Sequence, residues 1–273
     1  MKTPRLLIAF ILVLFPMLPV SVDARITNAQ STLFDVTDDG LYLNSELAYS
    51  RSTGTADVTQ LSFAEGTHWL GEPHLFFFSA SGAYANKDGE RYTNRYYAHL
   101  RYRYRIWKMI MAEGFVQGEY NEFRRILTRL PVGAGPRIEQ TIGNDRLFQF
   151  ALGSSYMFEF VRLSEDYNDD GVPYADSHHV ERNHRWNNYL AVKLNLPVMS
   201  IGSTLYVQPK FTDFADYSLL WESDVTFNIT DHLSISLDYV AFHDSRPPIS
   251  VVKGDSEFKT LLTMQLGPFG GNN

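Results

Sequence analysis

Residues 91–106, RYTNRYYAHLRYRYRI, alternate almost without a break between two chemistries. The even positions are Tyr92, Asn94, Tyr96, Ala98, Leu100, Tyr102, Tyr104 and Ile106; the odd positions are Arg91, Thr93, Arg95, Tyr97, His99, Arg101, Arg103 and Arg105. Successive side chains of a strand point to opposite faces, so this segment has one apolar, aromatic face and one cationic face. It is about three times the length of an ordinary globular strand of ~5–6 residues. The cationic face cannot enter an apolar core, because an unpaired buried charge costs many kcal/mol. A single such strand could lie on a sandwich with its charges in water. A set of them reads as a closed antiparallel transmembrane β-barrel, with lipid outside and a polar lumen inside.

The same period runs through the chain. Strands are expected over Leu41–Arg51, Val58–Trp69, His74–Ala85, Arg91–Ile106, Met109–Phe123, Leu127–Glu139, Arg146–Arg162, Arg185–Leu196, Ile201–Thr212, Tyr217–Asn228, Leu233–His243 and Glu257–Leu266. Each sets apolar residues against polar ones; in the seventh, Phe148, Phe150, Leu152, Tyr156 and Phe158 share one face. About twelve strands, an even number, suit a closed up-and-down all-β barrel. The connections alternate in length. Short turns such as Trp107-Lys108 and Pro197-Val198 fall at one end, and the long loops Leu163–His184 and Asp244–Ser256 fall at the other. Short turns face the periplasm and longer loops face out in bacterial barrels. Aromatics near strand ends (Tyr42, Trp69, Tyr104, Trp107, Trp186, Tyr217, Trp221) suit interfacial girdles.

The N-terminus carries Lys2 and Arg5, an apolar stretch from Leu6 to Val20 broken by Pro16 and Pro19, and then Val22-Asp23-Ala24. That pattern is a secretory leader with cleavage after Ala24, too short and too broken for a spanning helix. The expected division is a leader at 1–24, a periplasmic segment at 25–40, an outer-membrane barrel at 41–269 and a tail at 270–273. Cysteine is absent, which excludes disulfides, thiolate metal sites and a lipidated N-terminal cysteine. The net charge of −7 argues against nucleic acid as a partner. The expected partners are outer-membrane lipids, lipopolysaccharide and the barrel-assembly machinery. A small polar or anionic solute would be the cargo of an open lumen.

Inward-facing charges are where side chains could act. Pairing the fourth and fifth strands around Trp107 sets Arg101 across from Glu113 and Arg95 across from Glu119, and a two-residue slip keeps opposite charges facing. With Arg103, Arg129, Arg137 and Glu139 these residues form an expected ion-pair ladder, since buried charges are normally paired. The ladder either fills a structural barrel or lines a narrow pore for anions.

The long loop contains Asp166, Asn168 and Asp170 in the first half of a calcium-loop pattern, but Ser177 stands where a bidentate Glu belongs. His178, His179 and His184 follow, and with those acids they form a candidate divalent-metal cluster. No G-x-S-x-G or H-E-x-x-H motif is present, so neither catalysis nor a cofactor is expected. A lipid-modifying outer-membrane hydrolase and a secreted lipid-binding barrel are the competing readings. The first would show a Ser and a His within hydrogen-bond reach on the lipid-facing surface, and the second would turn Tyr96, Leu100, Phe150 and Leu194 inward.

Several segments carry a family resemblance. Tyr42 to Thr59 with its Ser52-Thr53-Gly54-Thr55 tip, the arginine-rich fourth strand, Gly118-Glu119-Tyr120-Asn121 and Arg129-Leu130-Pro131-Val132-Gly133-Ala134-Gly135-Pro136-Arg137 resemble the YdiY-like "salt-induced outer-membrane protein" family. The resemblance spans about Gly40 to Phe269 and implies an outer-membrane β-barrel. It carries over no activity, ligand or catalytic residue. Gly270 to Asn273 follow Phe269, whereas such barrels usually finish on an aromatic.

Overall fold

The computed structural model of the chain describes Phe34 and residues 38–269, apart from 55, 165–177, 231–232 and 249–250. Twelve strands follow one another: β1 (Gly40–Ser52), β2 (Val58–Gly71), β3 (His74–Lys87), β4 (Glu90–Trp107), β5 (Ile110–Asn121), β6 (Ile126–Ile142), β7 (Phe148–Ser164), β8 (His178–Asn195), β9 (Met199–Lys210), β10 (Asp213–Thr230), β11 (Leu233–Asp244) and β12 (Gly254–Phe269). Each is antiparallel to the next, and the order returns on itself through β1 and β12, where Leu41 faces Phe269 and Asn44 faces Gln265. The strands are 12 to 18 residues long, more than the ~9–11 that cross a bilayer. A type I′ two-residue hairpin needs positive φ at both central positions, and Asp88 (φ 53°) with Gly89 (φ 88°) provides them between β3 and β4.

Burial is inverted relative to a water-soluble protein. Arg101, Arg103, Glu113, Arg137, Lys193 and Asp238 are among the most buried side chains, while Leu47, Ile106, Trp107 and Leu152 are more than half exposed. The apolar clusters inside are small. One joins Phe34 to Ala151, Tyr189, Ala191 and Tyr206, and another pairs Tyr42 with Leu70. Tyr42 therefore does not belong to an outer girdle. It has inward parity on β1 and stacks on His68 at 5.0 Å.

Several strand boundaries differ from the sequence reading, β10 starting at Asp213 and β12 running from Gly254 to Phe269, and two differences bear on the site. The long loop is shortened from both sides, because β7 runs on to Ser164 and β8 begins at His178 instead of Arg185. Residues 178–184 are polar at almost every position, so no alternation marks them as strand. Arg146 lies in a 3-10 turn, Asn144–Arg146, before β7 rather than in it.

Candidate functional site

The interior is filled by polar side chains in two layers. The first lies toward the end where β1 starts, here the turn end. In the β4–β5 register Arg103 faces Glu113, so the pairing slips by two from the one that put Arg101 opposite Glu113. The turn falls at Lys108-Met109, with Trp107 facing Ile110, and a bulge between Arg105 and Trp107 then brings the register to Arg103–Glu113. Glu113 holds both arginines: Arg101 Nη1 meets its Oε1 at 2.7 Å, and Arg103 Nε meets its Oε2 at 2.7 Å. From β6, Arg137 reaches Glu139, two residues along its own strand, at 2.7 Å.

Tyr189 of β8 completes this layer. Its hydroxyl donates to Glu113 Oε1 at 2.9 Å and accepts from Arg137 Nη1 at 2.6 Å. The Arg101 and Arg137 guanidiniums lie 5.9 and 5.6 Å from its ring centroid. A side chain from β8 thus meets charges from β4, β5 and β6 across the interior. Gly153, its partner on β7, leaves room for the ring; a Cβ there would come within 2.2 Å of it.

Beneath this layer, at the turn end, Phe34 packs inside against the wall formed by β7 to β9. Its ring is 1% exposed, packs on the directly opposed pair Ala151 and Ala191, and lies 5.6 Å from the Arg137 guanidinium. Arg146 Nη2 donates to its carbonyl at 2.9 Å. Phe34 comes from the segment that the sequence reading placed outside the barrel.

The second layer lies toward the opposite, loop end. It links Glu119 to Arg129 (3.0 Å), Arg129 to Glu159 (2.6 Å), Glu159 to Arg185 (2.9 Å), Arg185 to Asp216 (3.1 Å) and Asp216 to Lys210 (2.8 Å). Acids and bases alternate along this chain of contacts, which draws one residue from each of β5 to β10. Glu119 faces Tyr97 in the register and takes Arg129 as its partner, while Arg95 faces Asn121 and reaches across the mouth to Glu257 of β12 at 3.8 Å. Arg124 likewise spans to Asp255 (3.8 Å) and stacks 3.9 Å over Phe242. Between these spans a cavity of about 480 Å³ opens at the loop end, lined by Asn94, Arg95, Tyr97, Glu119 and Glu257.

Of the metal candidates, Asp166, Asn168 and Asp170 lie outside the described residues, and the structure describes only the backbone of His178. His179 faces inward at the rim and meets Glu181 at 3.2 Å. His184 has the opposite parity, sits on the outer face and bonds the Tyr156 hydroxyl, so the two do not converge. Among the described residues no three metal-ligating side chains cluster. On the same outer face Ser154 contacts Asn188 (2.9 Å) and accepts from the Trp186 indole (2.8 Å), with no hydrogen bond between Ser154 and His184. Tyr189, Glu159, Arg185 and Asp216 escaped the sequence reading. Inward parity marks all four, but parity alone does not say which inward polar residues meet.

The model of a family described as "Protein of unknown function, DUF481" matches residues 45–266. No match was found among curated proteins. Among solved structures the chain is similar to a NanC porin (11% identity, covering 83% of this chain and 100% of that one, TM-score 0.46). It is also similar to the translocator domain of the autotransporter NalP from Neisseria meningitidis (9% identity, 86% and 91% covered, TM-score 0.47). A third is the beta domain of the Bordetella autotransporter BrkA (10% identity, 84% and 99% covered, TM-score 0.39).

Proposed function

The chain belongs to the DUF481 family, and from that premise we propose that it is an integral outer-membrane protein, a closed transmembrane barrel whose lumen is sealed by its own side chains. The inverted burial supports the membrane setting, since apolar side chains face out while arginines and carboxylates face in. The turn end faces the periplasm, with export by the 1–24 leader, and the loop end faces out. Membrane lipids and the barrel-assembly machinery are its partners. The arginine-rich β4 and the Arg129–Arg137 segment support placing it with the YdiY-like, salt-induced members.

One observation carries the sealed lumen: Tyr189 crosses the interior to meet Glu113 and Arg137, with Phe34 packed beneath. Each of these charges is met by a partner, which supports reading the layer as a stable plug. Planar-bilayer recording tests the reading. The purified protein should give no steady conductance, and a large, steady current would overturn it. Three guanidiniums of this layer face two carboxylates (Arg101, Arg103, Arg137; Glu113, Glu139), so a current through the barrel would be anion-selective and Arg101→Glu would remove that preference.

A further inference from the structure

The outer face of the β7–β8 hairpin changes character along its length. Even positions of both strands face out, as Leu152 (52% exposed) and Leu190 (49%) do beside the fully buried Ala151 and Ala191. Directly opposed outward pairs then run from Leu152 and Leu190, through Tyr156 and Trp186, to Phe160 with Arg182 and Arg162 with Val180 at the loop-end rim. The face is apolar up to Leu152 and Leu190, carries the polar pair Ser154 and Asn188, is aromatic with His184 at Tyr156, Trp186 and Phe158, and turns cationic at the rim. Arg162 and Arg182 are diagonal neighbours, about 7–8 Å apart. No salt bridge or side-chain hydrogen bond joins either of them to an acid among the described residues.

Two arginines pointing sideways out of a barrel need an environment. Aromatic rings one step below them mark the membrane interface, where hydrocarbon gives way to headgroups. Above that line the chemistry that matches two adjacent guanidinium forks is a phosphate, which each can meet with paired N–H donors. We propose that Arg162 and Arg182 form a seat for the phosphorylated glycolipid of the outer leaflet, with Phe160 and Tyr156 against its acyl chains. The seat rests on the outward band facing lipid and on the loop end facing out.

The test is a titration of the detergent-purified protein with rough lipopolysaccharide, following the melting midpoint. The wild type should rise by a few degrees. Arg162→Gln and Arg182→Gln should each require about tenfold more lipid for the same rise, the loss expected for a charge-assisted hydrogen bond. Equal half-saturation in wild type and the double variant would overturn the seat. So would an equal rise with chemically dephosphorylated lipopolysaccharide or with inorganic phosphate alone, two arms that use only the wild-type protein and need no variant to fold. Membrane fractionation separates the premise from the seat. Wild-type protein absent from the outer membrane would sink the premise, whereas a double variant recovered there with its lipid response lost would support the seat.

Discussion

Glu113 is held by Arg101, Arg103 and the Tyr189 hydroxyl. Removing one partner of a buried pair strands the other charge, at roughly 3–5 kcal/mol. Here two guanidiniums, each about 5% exposed or less, would be stranded together. Glu72 is the natural control, because its pair with Arg105 is half exposed at a turn, and such pairs contribute about 0–1 kcal/mol. Glu113→Ala should therefore lower the melting transition in detergent well beyond Glu72→Ala. Equal effects would mean that the first layer does not hold the interior together. At this scale the sequence shows which side chains face inward but not whom they meet. Arg95 was expected to face Glu119; in the register it faces Asn121 and reaches Glu257 across the mouth, while Glu119 binds Arg129.

The strands themselves were legible, because period-two alternation over a dozen or more residues has no other structural meaning. It fails in β8 between His178 and Arg185, where the strand rises past the aromatic belt and both faces become polar. The same logic makes the outer face sensitive to charge. Leu100 lies on the outer face between Phe78 of β3 and Val116 of β5. Arginine at a lipid-facing position near the midplane costs roughly 2–4 kcal/mol, so Leu100→Arg should reduce refolding into lipid vesicles, read as loss of the heat-modifiable band. The same charge at Tyr49, 65% exposed on β1 near the loop-end rim, should cost about 0–1 kcal/mol. Comparable losses at the two sites would show that the outer face does not see a depth-dependent lipid environment.

For the molecule as a whole, the even strand number and the inside–outside assignment follow from pattern alone, whereas the seal does not. Phe34 belongs to no periodic segment, and nothing in its neighbourhood marks it as interior. Its socket is made by two alanines on strands far along the chain, which become a pair only once β7 and β8 are in register. Replacing a fully buried Phe by Ala typically costs about 3–5 kcal/mol. Phe34→Ala should lower the melting transition by that order and raise current noise in planar bilayers, with the first polar layer still in place. An unchanged melt would place Phe34 outside the cooperative unit.

The position of that ring also constrains the order of events in assembly. Arg146 and Phe34 meet across 112 residues, and β7 stands opposite β1 in the ring of strands. The earliest-synthesised residue of the fold described here can therefore find its place only after the middle of the chain has formed its hairpin. Contacts of such long range form late because chain closure must precede them. Phe34 is thus among the last described residues to be placed, and until then the Ala151–Ala191 pair stands without the ring that covers it.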